Sequence, residues 1–148
     1  MTPIHHFFVH FPIALLVVAA LADLAGVALK RSILTRMAFI LLVLAGIGGI
    51  PAAVTGNHAE TNIRSQEALV ADVQQELNAH VGWGNTLVWI ILAVAASRVF
   101  FLLEKKPIAM EGWLFPVMTT LLAAAVLFTG LLGGQLSQTI FTAVRTLP

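Results

Sequence analysis

Five histidines carry whatever coordination chemistry this chain can do. His5, His6 and His10 come just before the first long apolar run, in Ile4-His5-His6-Phe7-Phe8-Val9-His10-Phe11-Pro12, while His58 and His80 flank an acidic stretch further on. Imidazole is the commonest transition-metal ligand, holds haem iron, and changes its charge near neutral pH. The chain has no cysteine. That excludes disulfides, thiolate-held iron–sulfur clusters and thioether-attached haem, and leaves His, carboxylate, Met or backbone oxygen as donors.

Spacing sorts these candidates only in part. His6 and His10 are four apart, so a helix would stack them on one face and turn His5 elsewhere. Pro3 could open that helix, yet Pro12 could equally mark its true start, which would leave His5 and His10 on a loop and free to converge. His10 is the best-placed ligand because apolar residues surround it. The bland alternative for each histidine is an interfacial side chain reaching headgroups and water. Glu76 and His80 are also four apart and could meet on one turn, as a carboxylate orienting a ligand's second nitrogen or as a surface pair worth a few tenths of a kcal/mol. Ser137, Gln135 and Gln138 could hydrogen-bond a cofactor's polar edge. No nucleophile–base set, phosphate loop or zincin motif is present.

The elements that must position these residues are transmembrane helices. Hydrophobic residues make up 59% of the 148 residues and charged ones 10%, far from the soluble balance of about half and about a quarter. Four apolar runs approach the roughly 20 residues needed to cross a hydrocarbon core: Phe11 to Leu29, Met37 to about Thr55, about Val81 to Ser97, and Trp113 to about Leu132. The expectation is one all-α integral membrane domain over residues 1–148, a four-helix bundle. The first run resembles a signal peptide with Ala20-Leu21-Ala22 as cleavage site, but no Lys or Arg precedes it and it is too long, so it reads as a retained span. The net charge of +1 and the lack of a basic tract point to no nucleic-acid partner.

Lys and Arg set the orientation. The first link carries Lys30, Arg31 and Arg36; the third is bounded by Arg98 and carries Lys105 and Lys106; the second has Arg64 against Glu60, Glu67, Asp72 and Glu76. The basic links therefore face the cytoplasm, and both termini and the acidic link lie outside, with Trp83 and Trp113 at opposite boundaries. All five histidines then fall at the outer face. Asn57 with Glu60 resembles a helix start. Leu69, Val73, Leu77 and His80 follow a helical rhythm, predicting an extracytoplasmic amphipathic helix between spans two and three, on the surface or extending the third span. His80 would face the bundle. Gly82 and Gly84 offer a hinge or a close approach.

Small residues crowd the same end: Gly46, Gly48, Gly49, Ala52, Ala53 and Gly56 in the second span, Gly130, Gly133 and Gly134 in the fourth. They either let helix backbones touch or clear space for a flat ligand. Pro12 and Pro51 each remove a helical hydrogen bond at that level. Asp23 is the one acidic residue deep inside a span, a functional-site hypothesis by default; the plainer expectation is an ion pair with Arg36 or Arg98.

The chain resembles the bacterial four-helix membrane proteins of domain-of-unknown-function family 2231. His5-His6-Phe7-Phe8-Val9-His10-Phe11-Pro12-Ile13-Ala14-Leu15 is similar to the family's opening H-P-x-x-V-H-F-P-I-A-L, with His6 where the family usually has proline. The resemblance runs on through Asp23, Thr55-Gly56-Asn57-His58-Ala59-Glu60, His80, Arg98 and Gly133-Gly134-Gln135-Leu136, similar to a closing G-G-x-L. The family often has a further histidine after that motif; Ser137-Gln138-Thr139-Ile140 has none, which puts a ligand from the fourth span in doubt. Relatives joined to Rieske-type or cytochrome c domains imply electron transfer at the outer face, and the bacterial inner membrane as location.

Two readings of function follow. In the first, His10 and His80 ligate one b haem near the outer surface, with His58 or His5 as substitute ligand or propionate partner, and the chain passes electrons as a subunit of a larger respiratory assembly. The partner would be an extracytoplasmic cytochrome c or Rieske-type protein. In the second, the chain is a cofactor-free structural or assembly subunit, packing on other membrane subunits or on its own copies. A copper, zinc or iron site from His5, His6, His10, His58 and Glu60 or Glu76 is a third possibility. Transport fits poorly, since no inverted repeat is evident.

Overall fold

The computed structural model describes residues 3–64, 71–105 and 112–145, with side chains for 8–58, 61, 74–105 and 112–139. Among the described residues there are four α-helices: α1 (Pro3–Ala28), α2 (Ser32–Arg64), α3 (Ala71–Leu103) and α4 (Leu114–Arg145). Each contains a stretch long and apolar enough to cross a membrane: Phe8–Ala28, Ser32–His58, Gln74–Leu103 and Leu114–Thr139. At 33 residues, α2 and α3 measure about 50 Å at 1.5 Å per residue. They exceed a hydrocarbon core of about 30 Å and project beyond it. The protein is a multi-pass membrane protein.

Helix is the form that satisfies every backbone group inside a segment where no water is at hand. Hydroxyl side chains in the spans are satisfied in the same local way. Thr55 Oγ1 donates to the Pro51 carbonyl at 2.7 Å, Thr86 to Gly82 at 2.8 Å, Thr120 to Pro116 at 2.7 Å and Thr129 to Ala125 at 2.9 Å, the back-bonding that hides a polar side chain in a helix. Helix α1 ends in a Schellman motif. Lys30 takes φ 53°, its N–H donates to Val27 at 3.2 Å, and the Arg31 N–H donates to Gly26 at 2.7 Å, satisfying carbonyls the helix leaves over. Lys105 takes φ 54° at the end of α3. A lysine at each of these ends also suits the negative end of the helix dipole.

Helix α1 packs on α2 and α4, and α3 packs on α2 and α4. The bundle is thus a square with α1 and α3, which run in parallel, across one diagonal. Its middle is filled by Leu16, Ala20, Leu42, Ala45, Ile91, Val94, Ala95, Phe115, Leu122 and Ala123. Outward positions are equally apolar: Leu21, Trp89, Phe128 and Leu131 are all exposed, a surface suited to lipid chains rather than water.

Two expectations change and two open alternatives are settled. Asn57 starts no helix, because α2 runs unbroken through it to Arg64. Of the two forms expected for the acidic link, residues 71–80 take the second, continuing upward from the third span as part of α3; Leu69 lies outside the described residues. Gly82 and Gly84 form no hinge, since α3 passes through both. They are not close-approach points either, because a Cβ at either position would meet nothing within 4 Å. Pro12 lies inside α1, so the helix begins well before His10 rather than at the proline.

Candidate functional site

The α1–α3 diagonal is bridged at one end by charge. Arg98 Nη1 donates to Asp23 Oδ2 at 2.7 Å and Nη2 to Oδ1 at 2.8 Å, with both side chains fully buried. Of the two partners expected for Asp23, the structure takes Arg98; Arg36 is exposed. Thr119 Oγ1 lies 3.1 Å from Asp23 Oδ2 and 2.6 Å from the Phe115 carbonyl, its one proton divided between them. The Arg98 guanidinium also lies 5.0 Å from the Phe115 ring centre and 5.9 Å from that of Phe39. All four helices thus contribute to one clasp. Bidentate geometry and aromatic faces are what guanidinium needs when water is removed.

At the other end of the diagonal the helices leave a cavity of about 710 Å³, within the 300–1,000 Å³ range of ligand pockets. Gly49, Ala52, Ala53, Gly56, Gly84, Gly130, Gly133 and Gly134 form much of its wall. Its polar groups are few: His10 from α1, Asn57 from α2, His80 and Asn85 from α3, Thr129 and Ser137 from α4.

His80 is the most constrained of them. A Cβ on Gly133 would stand 2.5 Å from His80 Cε1, 3.0 Å from Nε2 and 3.3 Å from Nδ1. The imidazole therefore rests directly against the bare backbone of α4. Its Nδ1 is sealed from solvent and has no hydrogen-bond partner. Glu76, four residues earlier, is exposed and does not serve as the orienting carboxylate. Leu77 is buried, so this stretch of α3 turns its apolar side inward as the sequence rhythm suggested.

His10 comes to the same height along α4. Ile13 Cδ1 touches the Gly130 position at 3.4 Å. One turn up α1 from Ile13 is His10; one turn along antiparallel α4 from Gly130 is Gly133, where His80 rests. The cavity is therefore lined by two imidazoles from diagonal helices, His80 half-buried and His10 exposed. His58 is exposed and does not line it; Asn57 does. The side chains of His5, His6 and Glu60 lie outside the described residues. No group of three or more His, Asp or Glu side chains converges among the described residues.

The glycines divide between the two roles foreseen for them. Gly46 and Gly49 admit Leu92 and Val88 of α3, at 2.8 and 3.1 Å from a Cβ position, and Gly48 admits Phe11 at 3.2 Å. There a side chain of the neighbouring helix, rather than its backbone, takes the space of the missing Cβ. Gly84 and Gly134 have nothing within 4 Å and line the cavity, so there the missing side chains leave space.

A family model described as predicted membrane protein (DUF2231) matches residues 1–145. The chain belongs to this family. No curated protein and no solved structure matches it. The DUF2231 chain holds two features that its sequence did not announce as site residues. One is Asn85, whose Nδ2 donates to Asn57 Oδ1 at 3.1 Å and ties α3 to α2 at the cavity wall. The other is Thr129, which shares the α4 face with Gly130 and Gly133. Two asparagines at membrane depth were the available signal, since an amide there needs a partner.

His10 and His80 are of the donor type a b haem takes, imidazoles from two different helices, and Asn57, Asn85 and Ser137 add polar groups to the same lining.

Proposed function

We propose that this chain is a b-type cytochrome-like membrane subunit, with His80 and His10 as the axial ligands of one haem in the cavity. The observation that carries the reading is that His80, its ring seated on Gly133, and His10 from the diagonal helix line one cavity. Bound haem would supply reversible one-electron exchange, its potential set by axial ligands, burial and hydrogen bonding. The chain's own residues do the rest. His80 and His10 would present nitrogen from α3 and α1, the glycines of α2 and α4 would leave room beside them, and Asn57, Asn85 and Ser137 would hydrogen-bond polar substituents.

The basic groups Lys30, Arg31, Arg36 and Lys105 lie at the opposite end of the bundle, and the positive-inside rule then supports an extracytoplasmic cavity with both termini on the same side. An electron partner there, of the cytochrome c or Rieske type, accords with the family resemblance, as does service within a larger respiratory complex of the bacterial inner membrane.

The test is a reduced-minus-oxidised absorption spectrum of the protein purified in detergent from haem-replete cells. A Soret band with a sharp reduced α band, lost in His80→Ala, is the expected result. A colourless protein that takes up no added haemin would overturn the reading in favour of a cofactor-free assembly subunit.

A further inference from the structure

We infer that Gly133 is a positioning residue for His80: it fixes the direction of the imidazole by steric contact, in the place of the usual hydrogen bond. Ligand histidines are ordinarily aimed by a carboxylate, carbonyl or water on their second nitrogen, which also fixes the tautomer. His80 has no such partner at Nδ1, and Glu76 is turned away. What holds the ring is the α4 backbone, against which three ring atoms lie at 2.5 to 3.3 Å from where a Cβ would be.

Any side chain at position 133 must therefore displace the ring. A separation of 2.5 Å is not one that real Cβ atoms tolerate, and helix backbone on both sides cannot recede without disturbing the α3–α4 packing. The ring alone can move, and the cavity beside it is the space it would enter. Gly134, the next residue, is the natural control. It lies on the same helix and lines the same cavity, yet a Cβ there meets nothing within 4 Å. Helix propensity and membrane insertion change equally in the two alanine variants, so a difference between them reports the seat itself.

The seat also bears on the electronics of the site, a point that rests on the haem reading. A hydrogen bond from the second nitrogen makes an imidazole a stronger donor. A ligand aimed by sterics alone would be the weaker donor, which would favour the reduced metal.

The experiment uses the full-length chain in detergent, ring-labelled with 15N-histidine. Gly133→Ala, Gly134→Ala and the unaltered protein are compared by imidazole NMR without haem, and by haemin titration and visible spectrum with it. Gly133→Ala is expected to shift the His80 ring resonances and weaken haem retention by roughly 10- to 100-fold, the range for losing an orienting partner. Gly134→Ala, whose Cβ meets no neighbour within 4 Å, is expected to leave the His80 ring resonances unchanged. Unshifted His80 resonances in Gly133→Ala, or equal shifts in both variants, would overturn the seat. If no form of the protein takes up haem, the cytochrome reading fails while the NMR comparison still decides the role of Gly133.

Discussion

The two ends of the α1–α3 diagonal solve the same problem in opposite ways. Asp23 and Arg98 meet at 2.7 and 2.8 Å with no exposure, while about 20 Å higher along α1, His10 and His80 face a cavity of about 710 Å³. At the lower end Asp23, Arg98 and Thr119 partner one another, with Thr35 Oγ1 buried nearby without a partner. At the upper end Nδ1 of His80 has none, and glycines stand where bulk would close the gap. The buried ion pair is complete between two helices; the histidine end is open, and on the proposed reading a ligand would complete it.

The largest effect should come from breaking the clasp. Asp23→Ala or Arg98→Ala leaves a charge buried and unpaired, expected to destabilise by about 3–5 kcal/mol in denaturant titrations of the detergent-solubilised protein. Replacing both residues by Leu should recover most of that loss, because the unpaired charge goes too. A double variant as unstable as the sum of the singles would show that the clasp is not a self-contained pair.

Substitutions at the other end should separate stability from ligand capture. His80→Ala is expected to change stability by about 1 kcal/mol or less while removing the haem spectrum. Gly134→Leu should lose ligand by filling the cavity, yet gain up to about 1 kcal/mol from helix propensity, seen as a raised unfolding midpoint. A large loss of stability in either would mean that the upper end is packed core rather than binding space. The smallest effect belongs to the link between the ends. Asn85→Leu, which deletes the hydrogen bond to Asn57, should cost about 0.6 kcal/mol, the usual value for such a bond between membrane helices, by the same titration.

Much of this architecture is legible in the chain. The four spans follow from run length, and Asp23 declares its need for a cation, with Arg98 among the two at the right depth. His80 can be placed inward because Leu77 precedes it in a stretch where polar and apolar residues still alternate with helical period. Within the spans that signal fades. Lipid-facing Leu21 and core-facing Leu16 are equally apolar, so periodicity does not say which face of a helix looks inward. That is why the sequence offers His58 as a candidate and passes over Asn57, one residue and about 100° away on the helix. The same loss of phase hides the division among the glycines. Gly46 and Gly134 look alike in sequence, and only the neighbours that meet or miss them, Leu92 for the first and none for the second, tell contact from space. The continuation of α2 through Asn57 is masked by a cap-like pattern that tertiary context overrides.

Haemin titration of the apoprotein, run side by side on the unaltered chain and the His10→Ala, His80→Ala and His58→Ala variants, tests the two-histidine site most directly. A one-to-one low-spin bis-imidazole spectrum is expected for the unaltered chain and for His58→Ala, and its loss in His10→Ala and His80→Ala. Low-spin binding that survives both of those substitutions, or that vanishes only with His58, would contradict the assignment.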